Sequence, residues 1–132
     1  MEDNAVINQD EIAEQVKGHD RIVVEDSEGK EYTLRYTRKV VKEMEKKGVT
    51  AQHAAELLSA GTLTATEDFI RKFVAPALKT DQPKMTENDV VDLWAEIDGK
   101  ETLIAYLVAL FSQPMLSLVT NPTETRAKFR LV

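Results

Sequence analysis

The chain contains no cysteine, so disulfides, thiolate zinc sites, iron–sulfur clusters and cysteine nucleophiles are excluded within it. It has two histidines, His19 and His53, too few for a three-histidine metal site. Its five glycines are scattered, which leaves no glycine-rich loop to cradle a phosphate. No GxSxG, HExxH or EF-hand pattern occurs. The longest uninterrupted apolar run, Leu103 to Phe111, is too short for a bilayer span, and the acidic opening MEDNAVINQDEIAEQ lacks the features of a signal peptide. Basic surface is also scarce: 17 Lys and Arg stand against 23 Asp and Glu, a net charge of −6. General affinity for nucleic acid, which depends on neutralising phosphates, is not expected of such a chain. Cofactors and catalysis are not expected either.

What is present is one domain's worth of sequence: 132 residues, 42% hydrophobic and 30% charged. The charge is segregated. Residues 1–31 carry 3 basic and 10 acidic groups, whereas residues 32–48 carry 6 basic and 2 acidic. Residues 49–120 return to an acidic balance, 5 against 10, and residues 121–132 are basic again, 3 against 1. Two basic islands on an acidic molecule suit contacts with acidic partners or with further copies of the chain.

The patterning predicts an α+β fold, mostly α, in which an N-terminal β-hairpin is followed by about five short helices. Residues 1–18 are expected to be a flexible acidic arm, although Ile12 and Val16, four apart, would share one face of a short helix. Residues 19–120 are expected to form a single domain, with a hairpin over 21–36 and helices over about 37–119. In the hairpin, the β-rich segments Arg21–Glu25 and Glu31–Tyr36 flank the turn Asp26-Ser27-Glu28-Gly29-Lys30. Thr37 and Thr50 are expected to cap two helices, and Thr64 with Glu67 a third carrying Phe69, Ile70, Phe73 and Val74. Pro76 should make the end of that helix irregular. Thr86 with Asp89 opens a helix carrying Val90, Val91, Trp94 and Ile97. Pro114 should kink or break the last helix. Residues 121–132 form a basic tail in which Lys128-Phe129-Arg130-Leu131 alternates as an edge strand would.

The candidate functional surfaces are those of a binding protein. Arg38, Lys42 and Lys46 recur every four residues, preceded by Arg35, and make a basic stripe beside Val40, Val41 and Met44. Leu103, Leu107, Leu110 and Phe111 make a wide apolar face on the last helix, one that could accept an amphipathic partner helix. The acids Glu87, Asp89, Asp92 and Glu96 lie opposite the apolar face of their own helix and are expected to be a solvated surface. His53 and His19 are expected to be surface or packing residues, and Trp94 a core residue.

The stretch Glu31–Thr50, EYTLRYTRKVVKEMEKKGVT, resembles the small tail assembly chaperones of siphophages and prophages of Gram-positive bacteria. In those proteins a short sheet-forming opening runs into a helix ending in M-E-x-x-G, and a mostly helical remainder follows. The segment LIAYLVALFSQPMLSLV is similar to the helical end of that group. The resemblance implies a non-enzymatic protein in the cytoplasm of the bacterial host. It would bind the tape-measure protein, assist assembly of the tail tube from the major tail protein, and self-associate, with no nucleic-acid or membrane partner. Two rival readings share the small size: a head–tail connector or neck protein that stays in the particle, and a small DNA-associated regulator using the helix pair after the hairpin. The acidity of residues 49–120 disfavours the second.

Overall fold

The computed structural model describes residues 9–122, 124 and 126–132. In order come α1 (Gln9–Val16), β1 (Ile22–Glu25), β2 (Glu31–Leu34), α2 (Arg38–Lys46) and α3 (Ala51–Ala60). Then follow α4 (Leu63–Phe69), a π-helical stretch (Ile70–Val74), α5 (Ala75–Lys79), α6 (Glu87–Glu96) and α7 (Lys100–Val119). The fold is mostly α with one antiparallel hairpin, in the register Ile22↔Leu34 through Glu25↔Glu31.

Asp26 builds the hairpin turn. Its Oδ1 accepts the N–H groups of Glu28 and Lys30, both at 2.9 Å, and its Oδ2 accepts the Tyr32 hydroxyl at 3.1 Å. Gly29 takes the left-handed conformation that the turn requires, with φ 84°.

Threonine caps set most helix starts. Thr37, Thr50 and Thr62 accept the N–H groups of Val40, His53 and Ala65, and Thr86 and Asp89 exchange both bonds of a full capping box. The third cap is therefore Thr62, not Thr64. The earlier threonine follows directly on Gly61, which ends α3 at φ 68°, so the turn between the two helices is only a residue or two long.

From α4 to α5 the backbone stays helical throughout. The π turn, in which Ala75 N–H donates to Ile70 C=O, sits immediately before Pro76. Proline has no N–H and its ring crowds the carbonyl four residues back, and a widened turn relieves both. Pro114 acts differently from expectation: α7 runs unbroken through it. The preceding turns are anchored in the core, and the far end is closed by Thr120, whose N–H and hydroxyl both donate to Leu116 C=O. One missing bond does not end a helix held at both sides.

This continuity also corrects the length of the apolar segment. By length and composition α7, with 20 residues, is apolar enough to cross a membrane. In this fold its Leu103, Leu107, Leu110 and Phe111 are buried.

The core is aromatic at its centre. Phe73 lies 5.5 Å from Tyr36, 5.1 Å from Phe111 and 5.6 Å from Phe69, with Phe111 edge-on to Tyr36 at 5.4 Å and Trp94 edge-on to Phe69 at 6.0 Å. The helices α1, α2 and α3 pack on α7, while β2 packs on α5.

The arm expectation is corrected over residues 9–16; residues 1–8 lie outside the described residues. Ile12 and Val16 are buried, Tyr106 Oη donates to Gln15 Oε1 at 2.7 Å, and Gln113 Nε2 donates to the Val16 carbonyl at 3.2 Å. A helix this short is marginal alone, and α7 supplies the apolar face that stabilises it.

Candidate protein-binding surface

The basic stripe is present and solvated. Val41 and Met44 are buried and turn α2 so that Arg38, Lys42 and Lys46 are exposed, and among the described residues none of the three has an ion-pair partner. Arg35 does not join them. Its guanidinium grips the Asp81 carboxylate with two bonds of 2.7 and 3.0 Å, tying the end of β2 to the turn after α5. That contact holds the Asp81 carboxyl below the ordinary carboxylate range.

The proposed apolar face on the last helix is corrected. Leu107 is fully buried, and Leu103, Leu110 and Phe111 are 8%, 2% and 6% exposed, so the row is the core's own and offers no surface in this fold. The widest apolar stripe of a central helix is the one that its own domain covers.

The opposite side of α7 is open instead. A groove of about 740 Å³ has α7 as its floor, through Ile104, Val108 and the small Ala105 and Ala109. One wall is α1, with Ala13 and the end residue Lys17 beside the buried Ile12 and Val16, and the other is α3, with Gln52, Ala55 and Leu58 around the buried Ala54. From Ile104 to Leu116 the floor extends about 18 Å, or roughly three helical turns. Beyond the groove α7 exposes Met115, Leu118 and Val119. None of Arg38, Lys42 and Lys46 lines the groove, so the two expected surfaces do not combine.

The other candidates for chemistry stay apart. Glu87, Asp89, Asp92 and Glu96 are exposed, and Asp89 is engaged as a helix cap. Among the described residues no three acids or histidines gather as metal ligands would. His53 stands 3.8 Å from Glu56 on the same helix, His19 is exposed, and Trp94 is a core residue.

Comparison with known proteins places the chain. It belongs to the family described as Domain of unknown function (DUF5055), which matches residues 12–131. The matched range begins within α1 and takes in both strands, every later helix and nearly all of the basic tail. No curated protein and no solved structure matches the chain significantly.

Proposed function

We propose that this protein is a non-enzymatic tail assembly chaperone of a phage or prophage, acting in the cytoplasm of the bacterial host. It binds the tape-measure protein as an exposed amphipathic helix and assists assembly of the major tail protein around it. The observation that carries this reading is the groove between α1 and α3. Its lining is mostly apolar, with the small Ala105 and Ala109 on the floor and Lys17, Gln52, Ser112 and Gln113 as its polar members, and its length suits three turns of a partner helix. The resemblance of residues 31–50 to the chaperone group supplies the identity of the partner. The basic stripe of Arg38, Lys42 and Lys46, outside the groove, steers an acidic segment of the assembling tail.

Co-expression with the tape-measure protein encoded alongside tests the reading. The wild-type chain should keep that protein soluble and co-purify with it. Ala55→Trp, a change at an exposed position of the α3 wall, should leave the fold intact and abolish the complex. Stoichiometric presence of the chain in purified mature virions would overturn the chaperone reading in favour of a connector.

A further inference from the structure

The hairpin has two outer edges, and among the described residues only one is covered. On β2, Thr33 N–H donates to Gln82 Oε1 and Gln82 Nε2 donates to the Thr33 carbonyl, both at 2.9 Å. Next along, Arg35 N–H donates to the Ala77 carbonyl at 3.2 Å. In an antiparallel pair a residue sends its N–H and C=O to the same side, and successive residues alternate. Thr33 and Arg35 thus face away from β1, and Tyr32 and Leu34 are the residues that bond to Val24 and Ile22. By the same alternation Val23 and Glu25 direct their backbone groups out of the hairpin on the β1 side. Among the described residues no hydrogen-bond partner reaches them there.

Beside this open edge lies a trough of about 570 Å³ between β1 and the corner where α6 turns into α7. Its apolar lining includes Ile22, Val24, Leu93, Ile97 and Leu103. Its charged lining is all of one sign, Glu25, Asp26, Glu96 and Asp98, with no basic side chain.

The C-terminal segment has the complementary character. Phe129 and Leu131 are 94% and 95% exposed, and they alternate with Lys128 and Arg130. Laid along β1 as a strand, the segment would turn Phe129 and Leu131 to the side of Ile22 and Val24. Lys128 and Arg130 would then fall on the side of Glu25. The chain's own tail could reach the trough only by running almost fully extended, a constraint that a tail from another copy does not carry, and in this structure Phe129 and Leu131 lie exposed instead. The trough lies at the first turn of α7 and the tail leaves its last, about 26 Å away from Leu103 along the helix. The eight steps from Thr120 to Lys128 span at most about 29 Å when fully extended.

We propose that the chain self-associates by strand addition: residues 128–132 of one copy pair with the open edge of β1 in a second copy. The main-chain bonds to Val23 and Glu25 supply register, the apolar trough takes Phe129 and Leu131, and the acidic rim selects the basic tail. This association is independent of the α1–α3 groove.

Light scattering on the full chain, over a range of concentrations, tests it. The wild-type chain should form dimers or longer assemblies that weaken as salt rises. Deletion of residues 128–132, or Phe129→Asp with Leu131→Asp, should leave a folded monomer, because these side chains contribute nothing to the core. On the receiving side, Val23→Pro removes the open-edge donor, and Glu25→Lys with Asp98→Lys reverses the rim. Each should weaken association by about tenfold or more. A labelled peptide of residues 126–132 should bind the tail-deleted chain and fail to bind when Glu25→Lys and Asp98→Lys are added. Undiminished association of the tail-deleted chain overturns the proposal. So does a wild-type chain that stays monomeric throughout, whether its tail is free or folded onto its own β1.

Discussion

Gln82 acts on Thr33 as a missing strand would. One side-chain amide accepts the Thr33 N–H and donates to the Thr33 carbonyl, each at 2.9 Å, across 49 residues of sequence. The same Nε2 also donates to the Leu78 carbonyl, which fixes the amide to the end of α5. A two-stranded hairpin is hardly stable alone, and this contact, with the Arg35–Asp81 pair beside it, fastens β2 to the helical body.

Gln82→Ala should therefore destabilise the domain by about 1–3 kcal/mol, the cost of leaving the half-buried Thr33 groups unpaired. Gln82→Glu keeps the acceptor but sets a carboxylate oxygen against the Thr33 and Leu78 carbonyls, and should cost at least as much as Gln82→Ala. Urea unfolding monitored by circular dichroism measures both. A loss below experimental error for Gln82→Ala would mean that water replaces the amide without cost.

The phenol of Tyr36 is buried and donates to the Phe73 carbonyl at 2.7 Å. Phe73 lies within the π-helical stretch, so this bond ties the chain just beyond β2 to that turn. Burial raises the Tyr36 pKa well above the ordinary phenol value. Tyr36→Phe keeps the ring contacts with Phe73 and Phe111 and removes only the hydroxyl. The expected cost is about 1–2 kcal/mol, read as a lowered midpoint in thermal unfolding.

Local signals carried much of this fold. The hairpin followed from its β-branched segments and the Asp26–Lys30 turn, and four helix starts from threonines ahead of apolar periodicity, with one cap misplaced by two residues. Trp94 and the Phe69–Val74 row were recognisable as core. The misreadings concern tertiary context. Whether Ile12 and Val16 belong to an arm or a docked helix depends on α7, nearly ninety residues away. Whether Leu107 and Phe111 face a partner or the core depends on Tyr36 and Phe73, which no local period reports. The groove was invisible because it is a gap between α1 and α3, made of alanines that look unremarkable in sequence. Gln82 lay in a stretch that reads only as a loop.

The basic stripe on α2 makes no contact that folding needs. Arg38→Glu with Lys42→Glu should shift stability by no more than about 0.5 kcal/mol, since exposed residues without partners contribute little. The same variant should weaken association with the acidic partner of the proposed assembly. Unchanged binding with unchanged stability would make the stripe a solvated helix face and nothing more.

Phe111 separates the core side of α7 from the groove side. It touches both Tyr36 and Phe73, so Phe111→Ala should cost about 3–5 kcal/mol and leave the domain largely unfolded at moderate temperature. Val108→Ser, on the groove floor, should retain cooperative unfolding. If both variants melted alike, the assignment of the two faces would be wrong. Calorimetry distinguishes the cases.

Acid should destabilise the domain in part through a few named carboxylates. Backbone N–H groups, that of Lys30 first, hold the Asp26 carboxyl below its ordinary pKa. Arg35 does the same for Asp81, and the Thr86 N–H for Asp89. Each folded value lies below the unfolded one, so the unfolded chain binds more protons as pH falls past about 4. The stability these groups contribute is complete above the unfolded pKa and is lost as pH drops through the lowered folded value. Urea midpoints measured between about pH 5 and pH 2 should therefore decline steadily. In Asp81→Asn the midpoint should begin lower and fall less steeply, because one of the linked protons has been removed. A slope equal to that of the wild-type chain would show that the Arg35–Asp81 contact adds nothing to the folded state in solution.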